Sequence, residues 1–91
     1  MSTCAEITVI GLVQGVGFRW FTQKRASELG LKGLVKNLGD GNVYVEVEGE
    51  REVIERLIEK LLNGPTFSRV KDVKIIWKEC QGRFDNFFIE D

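Results

Sequence analysis

Residues 31–62 read LKGLVKNLGDGNVYVEVEGEREVIERLIEKLL, and they carry three elements in a row. Leu31 to Leu38 has the composition of a strand. Gly39-Asp40-Gly41-Asn42 follows, and Asp-Gly between two apolar alternations predicts a tight hairpin, because such a turn needs positive φ. Val43, Val45 and Val47 then alternate with Tyr44, Glu46 and Glu48, which gives a strand with one dry and one wet face that ends at Gly49. From there the period changes. Val53, Ile54, Leu57, Ile58, Leu61 and Leu62 recur at helical spacing, and Asn63-Gly64-Pro65 stops the helix.

Outward from this block the pattern repeats. Residues 5–13 alternate as a strand, with Ile7, Val9 and Gly11 set against Glu6, Thr8 and Ile10. A glycine-rich loop follows, and Trp20 to Leu29 turns helical until Gly30. At 100° per residue, Phe21, Ala26 and Leu29 fall within an arc of roughly 140°, which predicts the buried face, with Trp20 outside it. Val70 to Trp77 reads as a fourth strand, and Phe84 to Ile89 as a short fifth strand at an edge. The order is βαββαβ. Two helices with one apolar face each cover one side of a sheet, so the pattern predicts an α+β, ferredoxin-like split βαβ sandwich. Right-handed crossovers then give the antiparallel strand order 4-1-3-2.

The chain has 91 residues, enough for one domain over residues 1–91. Thirteen basic and fourteen acidic residues leave a net charge of -1, which argues against a nucleic-acid binder. The longest apolar stretch, Val9 to Val13, has five residues. A signal peptide needs about 7–15 and a membrane helix about 20, so the expected location is the cytoplasm, away from membranes. There is no His. That removes Ser-His and Cys-His pairs and His metal sites, leaving Arg, Asn, carboxylates and backbone for any chemistry. Cys4 and Cys80 have no zinc-ligand spacing, and no metal or cofactor is expected. The two cysteines flank strands expected to be antiparallel neighbours, so a disulfide is sterically open to them. A reducing cytoplasm favours two separate thiols instead.

The loop Gln14-Gly15-Val16-Gly17-Phe18-Arg19 has two readings. Its glycines allow positive φ, so that backbone N–H groups converge beside a helix N-terminus and hold an anion, with the Arg19 fork closing the site. The plainer reading is a strand-to-helix turn whose Arg meets solvent. Asn37 likewise either serves a site or shapes the hairpin with Asp40-Gly41. Trp20 flanks the site or sits on the helix surface. Phe18 is expected to be core beneath the loop, and Lys36 to be solvated on the face opposite Asn37. Glu46, Glu48, Glu50, Arg51, Glu52, Glu55 and Arg56 read as a solvated face.

Gly11-Leu12-Val13-Gln14-Gly15-Val16-Gly17-Phe18-Arg19 resembles the first signature of the acylphosphatase family, G-x-V-Q-G-V-x-F/Y-R. Gly33-Leu34-Val35-Lys36-Asn37-Leu38-Gly39-Asp40-Gly41-Asn42-Val43, with Gly49 six residues on, is similar to its second. Leu34 stands where the family usually carries an aromatic residue. The resemblance implies hydrolysis of the carboxyl-phosphate bond of small acyl phosphates, with inorganic phosphate as product and inhibitor. It implies that residues Gln14 to Arg19 cradle phosphate, that Arg19 binds it, and that Asn37 orients the attacking water. One chain suffices for such a site, so a monomer is expected. The alternative from another class is a non-catalytic anion-binding or regulatory module on the same scaffold. An RNA reader would need several exposed aromatics on the central strands, where Tyr44 stands alone. A copper carrier would need paired Cys in the first loop.

Overall fold

The computed structural model describes residues 2–91. The elements are β1 (Thr3–Leu12), α1 (Phe18–Glu28), β2 (Lys32–Asn37), β3 (Val43–Gly49), α2 (Arg51–Asn63), β4 (Arg69–Lys78) and β5 (Phe87–Ile89). They form one sheet in the order β4-β1-β3-β2-β5. The first four strands pair antiparallel, as the periodicity predicts. β5 departs from that scheme. It runs parallel to β2, with Gly33 opposite Phe87 and Val35 opposite Ile89, so the sheet is mixed.

Ala5, Ile7 and Val9 of β1, Val35 of β2 and Val43, Val45 and Val47 of β3 are fully buried beneath the helices. The α2 stripe completes this layer through Ile54, Leu57, Ile58 and Leu61, at the spacing that the sequence predicts. Leu57 has no exposure, so Leu57→Ala removes a buried branch and leaves a cavity. The loss of stability should be about 2–5 kcal/mol, read by urea unfolding, with turnover per folded molecule unchanged.

The α1 face is displaced from the predicted one. The helix starts earlier, at Phe18, and buries Phe18, Thr22 and Ala26, spaced four apart, while Phe21 and Leu29 are partly buried. Thr22 is tolerated there because its hydroxyl donates to the Phe18 carbonyl at 2.9 Å.

The sheet face away from the helices is not simply wet. β4 and β5 lie at opposite edges, so residues 79–86 cross that face as a strap. The strap corrects two expectations. Glu46, expected in solvent, is only 6% exposed, because Arg83 of the strap pairs with it. Lys78 bridges Glu46 at 3.3 Å and Glu6 at 2.7 Å. Cys80, expected as a separate thiol, is joined to Cys4 of β1 across 76 residues, with Cα atoms 5.1 Å apart. The crossing carries Cys80 over the start of β1, which local sequence does not reveal.

Tyr44 lies beside this charge network. Burial, then the Glu46 and Glu6 carboxylates, push its phenol up to about 12. The fold therefore favours the neutral phenol. Its contribution is complete below the unfolded value near 10 and disappears as pH rises through the folded value. The chain has a single tyrosine, so tyrosinate absorbance reads Tyr44 alone. The folded chain should titrate near 12, and the urea-unfolded chain near 10. Lys78, raised mainly by its hydrogen bond to Glu6, adds alkaline loss of the same sign. Tyr44→Phe should therefore make the decline in stability above pH 10 shallower without abolishing it.

Candidate functional site

β1 and β2 run parallel with β3 between them, so both end at the same edge of the sheet. The loop after β1 and Asn37 at the end of β2 consequently meet. Val13 and Phe18, both buried, anchor the two ends of the loop in the core. Between them Gly15 (φ 75°) and Gly17 (φ 79°) take left-handed backbone conformations. Gly17 is the N-cap of α1 and offers no side-chain cap, and the first turn carries no acid. The leading N–H groups of this helix are thus left without a side-chain cap, at the positive end of its dipole.

A cavity of about 280 Å³ opens on this loop, lined by Gly15, Gly17, Arg19, Trp20, Asn37, Ile89 and Asp91 among others. Arg19 is half-buried, and its Nη1 lies 3.2 Å from the exposed carboxylate of Asp91. Trp20 is 60% exposed at the rim, with Lys24 Nζ 4.9 Å from its ring centre. The structure thus brings Gly15, Gly17, Phe18, Arg19 and Asn37 to one cavity, with Trp20 at the mouth.

Asn37 Oδ1 is buried and has no hydrogen-bond partner among the described residues. A buried acceptor without a donor costs about 1–3 kcal/mol, which an incoming donor would recover. The competing role, shaping the hairpin, is filled by other groups. Asp40 accepts from the Asn42 backbone N–H at 3.1 Å and from its side-chain amide at 3.2 Å. Leu38 N–H closes the turn onto the Asn42 carbonyl at 2.9 Å.

Gln14 and Val16 sit differently from the rest of the loop. The Gln14 amide donates to the carbonyls of Leu38 and Asn42, at 2.7 and 2.8 Å, and so ties the loop to the β2–β3 hairpin. Its side-chain nitrogen is committed to holding two backbone segments together. Val16 packs partly against the core. Lys36 lies on the other face, as alternation predicts, 3.5 Å from Glu90 and with its Nζ 5.5 Å from the centre of the Tyr44 ring. Sequence reasoning missed Ile89 and Asp91. Nothing in a three-residue strand predicts pairing with β2, and only that pairing delivers them to the cavity.

Fold and cavity together define an α+β sandwich in which a glycine loop, the Arg19 guanidinium and the Asn37 amide line one cavity. A sequence model of the acylphosphatase family matches residues 5–89. The chain is 47% identical over 88 residues to the acylphosphatase of Methanococcoides burtonii, covering 97% of this chain and 92% of that one. It is 52% identical over 79 residues to that of Thermobifida fusca, with 87% of each chain covered. The crystal structure of the Bacillus subtilis acylphosphatase superposes with a TM-score of 0.94 at 36% identity, covering 100% of both chains. The chain belongs to the acylphosphatase family, a family of hydrolases. Among the described residues, no helix is long and apolar enough to cross a membrane.

Proposed function

We propose that residues 1–91 act as one domain and, as a monomer, hydrolyse the carboxyl-phosphate bond of small acyl phosphates, which makes the chain an acylphosphate phosphohydrolase. The reading rests above all on Asn37, which lines the cavity shared with Arg19 and the glycine loop and whose buried Oδ1 has no hydrogen-bond partner among the described residues. The N–H groups of the loop and helix start, with the Arg19 guanidinium, hold the phosphoryl oxygens and spread their charge. Asn37 Oδ1 accepts a hydrogen bond from water and aims its lone pair at phosphorus, opposite the acyl oxygen. The new O–P bond forms as the bond to the acyl oxygen breaks, and a carboxylate leaves. A carboxylate is a good leaving group, so no general acid is required. An amide is a poor base, so the water's proton goes to a phosphoryl oxygen of the substrate itself. A rate profile that demanded an ionising protein base would contradict this last step.

The acyl portion extends past Trp20 and Ile89, the apolar part of the rim. Inorganic phosphate, the product, competes for the same cradle. The test is phosphate release from benzoyl phosphate and acetyl phosphate with a chelator present. Turnover is expected for both. Phosphate binding without turnover would assign the chain to non-catalytic anion binding instead.

A further inference from the structure

At the other end of β1, about 30 Å along the strand from the glycine loop, lies a cluster that the hydrolytic reaction does not use. Cys4 Sγ, Cys80 Sγ and a carboxylate oxygen of Glu48 all lie within 4.8 Å of one another. Cys4 and Glu48 are cross-strand partners in the β1–β3 register, so their side chains emerge side by side on the strap-covered face. Cys80 arrives from the strap. Cys4 is buried, and Glu48 and Cys80 are half-buried. A cavity of about 320 Å³ adjoins the cluster, lined by Cys4 and Glu48 and also by Glu79.

We propose that opening the Cys4–Cys80 disulfide creates a binding site for a borderline-soft divalent cation, Zn2+ above all, with the two thiolates and the Glu48 carboxylate as ligands. A dithiol reductant supplies two electrons and two protons, leaving two thiols and its own disulfide. The cation then displaces one proton from each thiol as two metal–sulfur bonds form. Thiolate and carboxylate donors together select zinc or cadmium over magnesium or calcium.

The strap keeps the ligands in place after the bond is broken. Arg83 remains paired with Glu46, and Asn86 still accepts from Gly33 N–H at 3.0 Å beside the β2–β5 ladder. Cys80 is therefore held near Cys4 by contacts that do not involve sulfur. Donors around a tetrahedral zinc stand about 3–4 Å apart, so a small shift of Cys80 admits the ion. The cavity leaves space for a fourth ligand, either water or the Glu79 carboxylate. Lys78 and Arg83 also line it, and their charges are already answered by Glu6 and Glu46.

The chain is reduced with a dithiol, freed of the reductant without air, and titrated with Zn2+ against a chromophoric chelator and with Cd2+ for its thiolate charge-transfer band. One ion per reduced chain is expected, and none for the oxidised chain. Cys80→Ser should abolish the two-thiolate band. Glu48→Gln should keep the band and weaken Zn2+ by at least about tenfold. Circular dichroism of the reduced chain should match that of the oxidised chain. Three results would overturn the proposal: no Zn2+ uptake by the folded reduced chain, undiminished affinity in Glu48→Gln, or loss of the fold on reduction.

Discussion

Arg19→Ala should lower kcat/KM for acyl phosphates on the order of 1,000-fold, the scale seen when a guanidinium is withdrawn from a phosphoryl group in transfer. The guanidinium meets the phosphate in both the ground and the transition state. The Michaelis constant should therefore rise, turnover should fall, and inhibition by inorganic phosphate should weaken together with them. Arg19→Lys should recover little, because a point ammonium cannot present two parallel donors. The fold should survive, since the Arg19 side chain is half-buried and, among the described residues, pairs with the exposed Asp91. Steady-state kinetics and phosphate affinity, taken beside circular dichroism, measure all of this. Unchanged phosphate affinity in a folded Arg19→Ala would remove the residue from the phosphate site.

Asn37→Ala should separate binding from chemistry. Turnover should fall by about 100-fold or more, the loss typical of a positioned group that acts mainly in the transition state. Phosphate inhibition should stay close to that of the parent chain. Stability should hold or rise slightly, because the substitution removes a buried oxygen that has no partner. A folded Asn37→Ala that lost phosphate binding as fully as Arg19→Ala would make Asn37 a phosphate ligand, and the water-orienting mechanism would be wrong.

The two substitutions rest on positions that could be read from the sequence for different reasons. Strand order followed from two elementary signals. These were the valine alternation of β3 behind an Asp-Gly turn, and the stripe of α2 carried by Ile54, Leu57, Ile58 and Leu61. Once the order was fixed, the ends of β1 and β2 had to coincide, and Arg19 and Asn37 came with them. Position alone left Asn37 ambiguous. Only the hydrogen bonds of Asp40 and Asn42 show that the hairpin does not require it. Gln14 was legible as part of the loop, but not as the tie between loop and hairpin, because that contact spans residues far apart in the chain.

What stayed hidden lies along the crossing of residues 79–86. A glutamate on the outward face of β3 has the same local pattern whether water or an arginine covers it, so the burial of Glu46 had no signal. Nor did the arrival of Ile89 and Asp91 at the cavity, whereas the Cys4–Cys80 bond was sterically open from the expected β1–β4 pairing and set aside only on the ground of a reducing cytoplasm. The burial of Glu46 and the arrival of Ile89 and Asp91 both follow from the crossing to β5, a three-residue strand that docks on β2. The register of α1 was displaced for a smaller reason. Thr22 counts as polar in any periodicity, yet its hydroxyl is satisfied within the helix and can face the core.

Gly15 and Gly17 have open space where a Cβ would stand, and only their positive φ resists a side chain. In the proposed mechanism their loop meets the substrate through main-chain N–H groups, which every codon except that for proline supplies alike. A saturation screen of the chain would therefore map the site unevenly. Arg19 and Asn37 would appear as positions of chemical identity. Gly15 and Gly17 would appear as positions of shape, where asparagine, the residue best able to follow glycine into left-handed backbone, outperforms alanine. The ranking of substitutes at those two positions would report a conformation, although the function being scored is recognition of an anion.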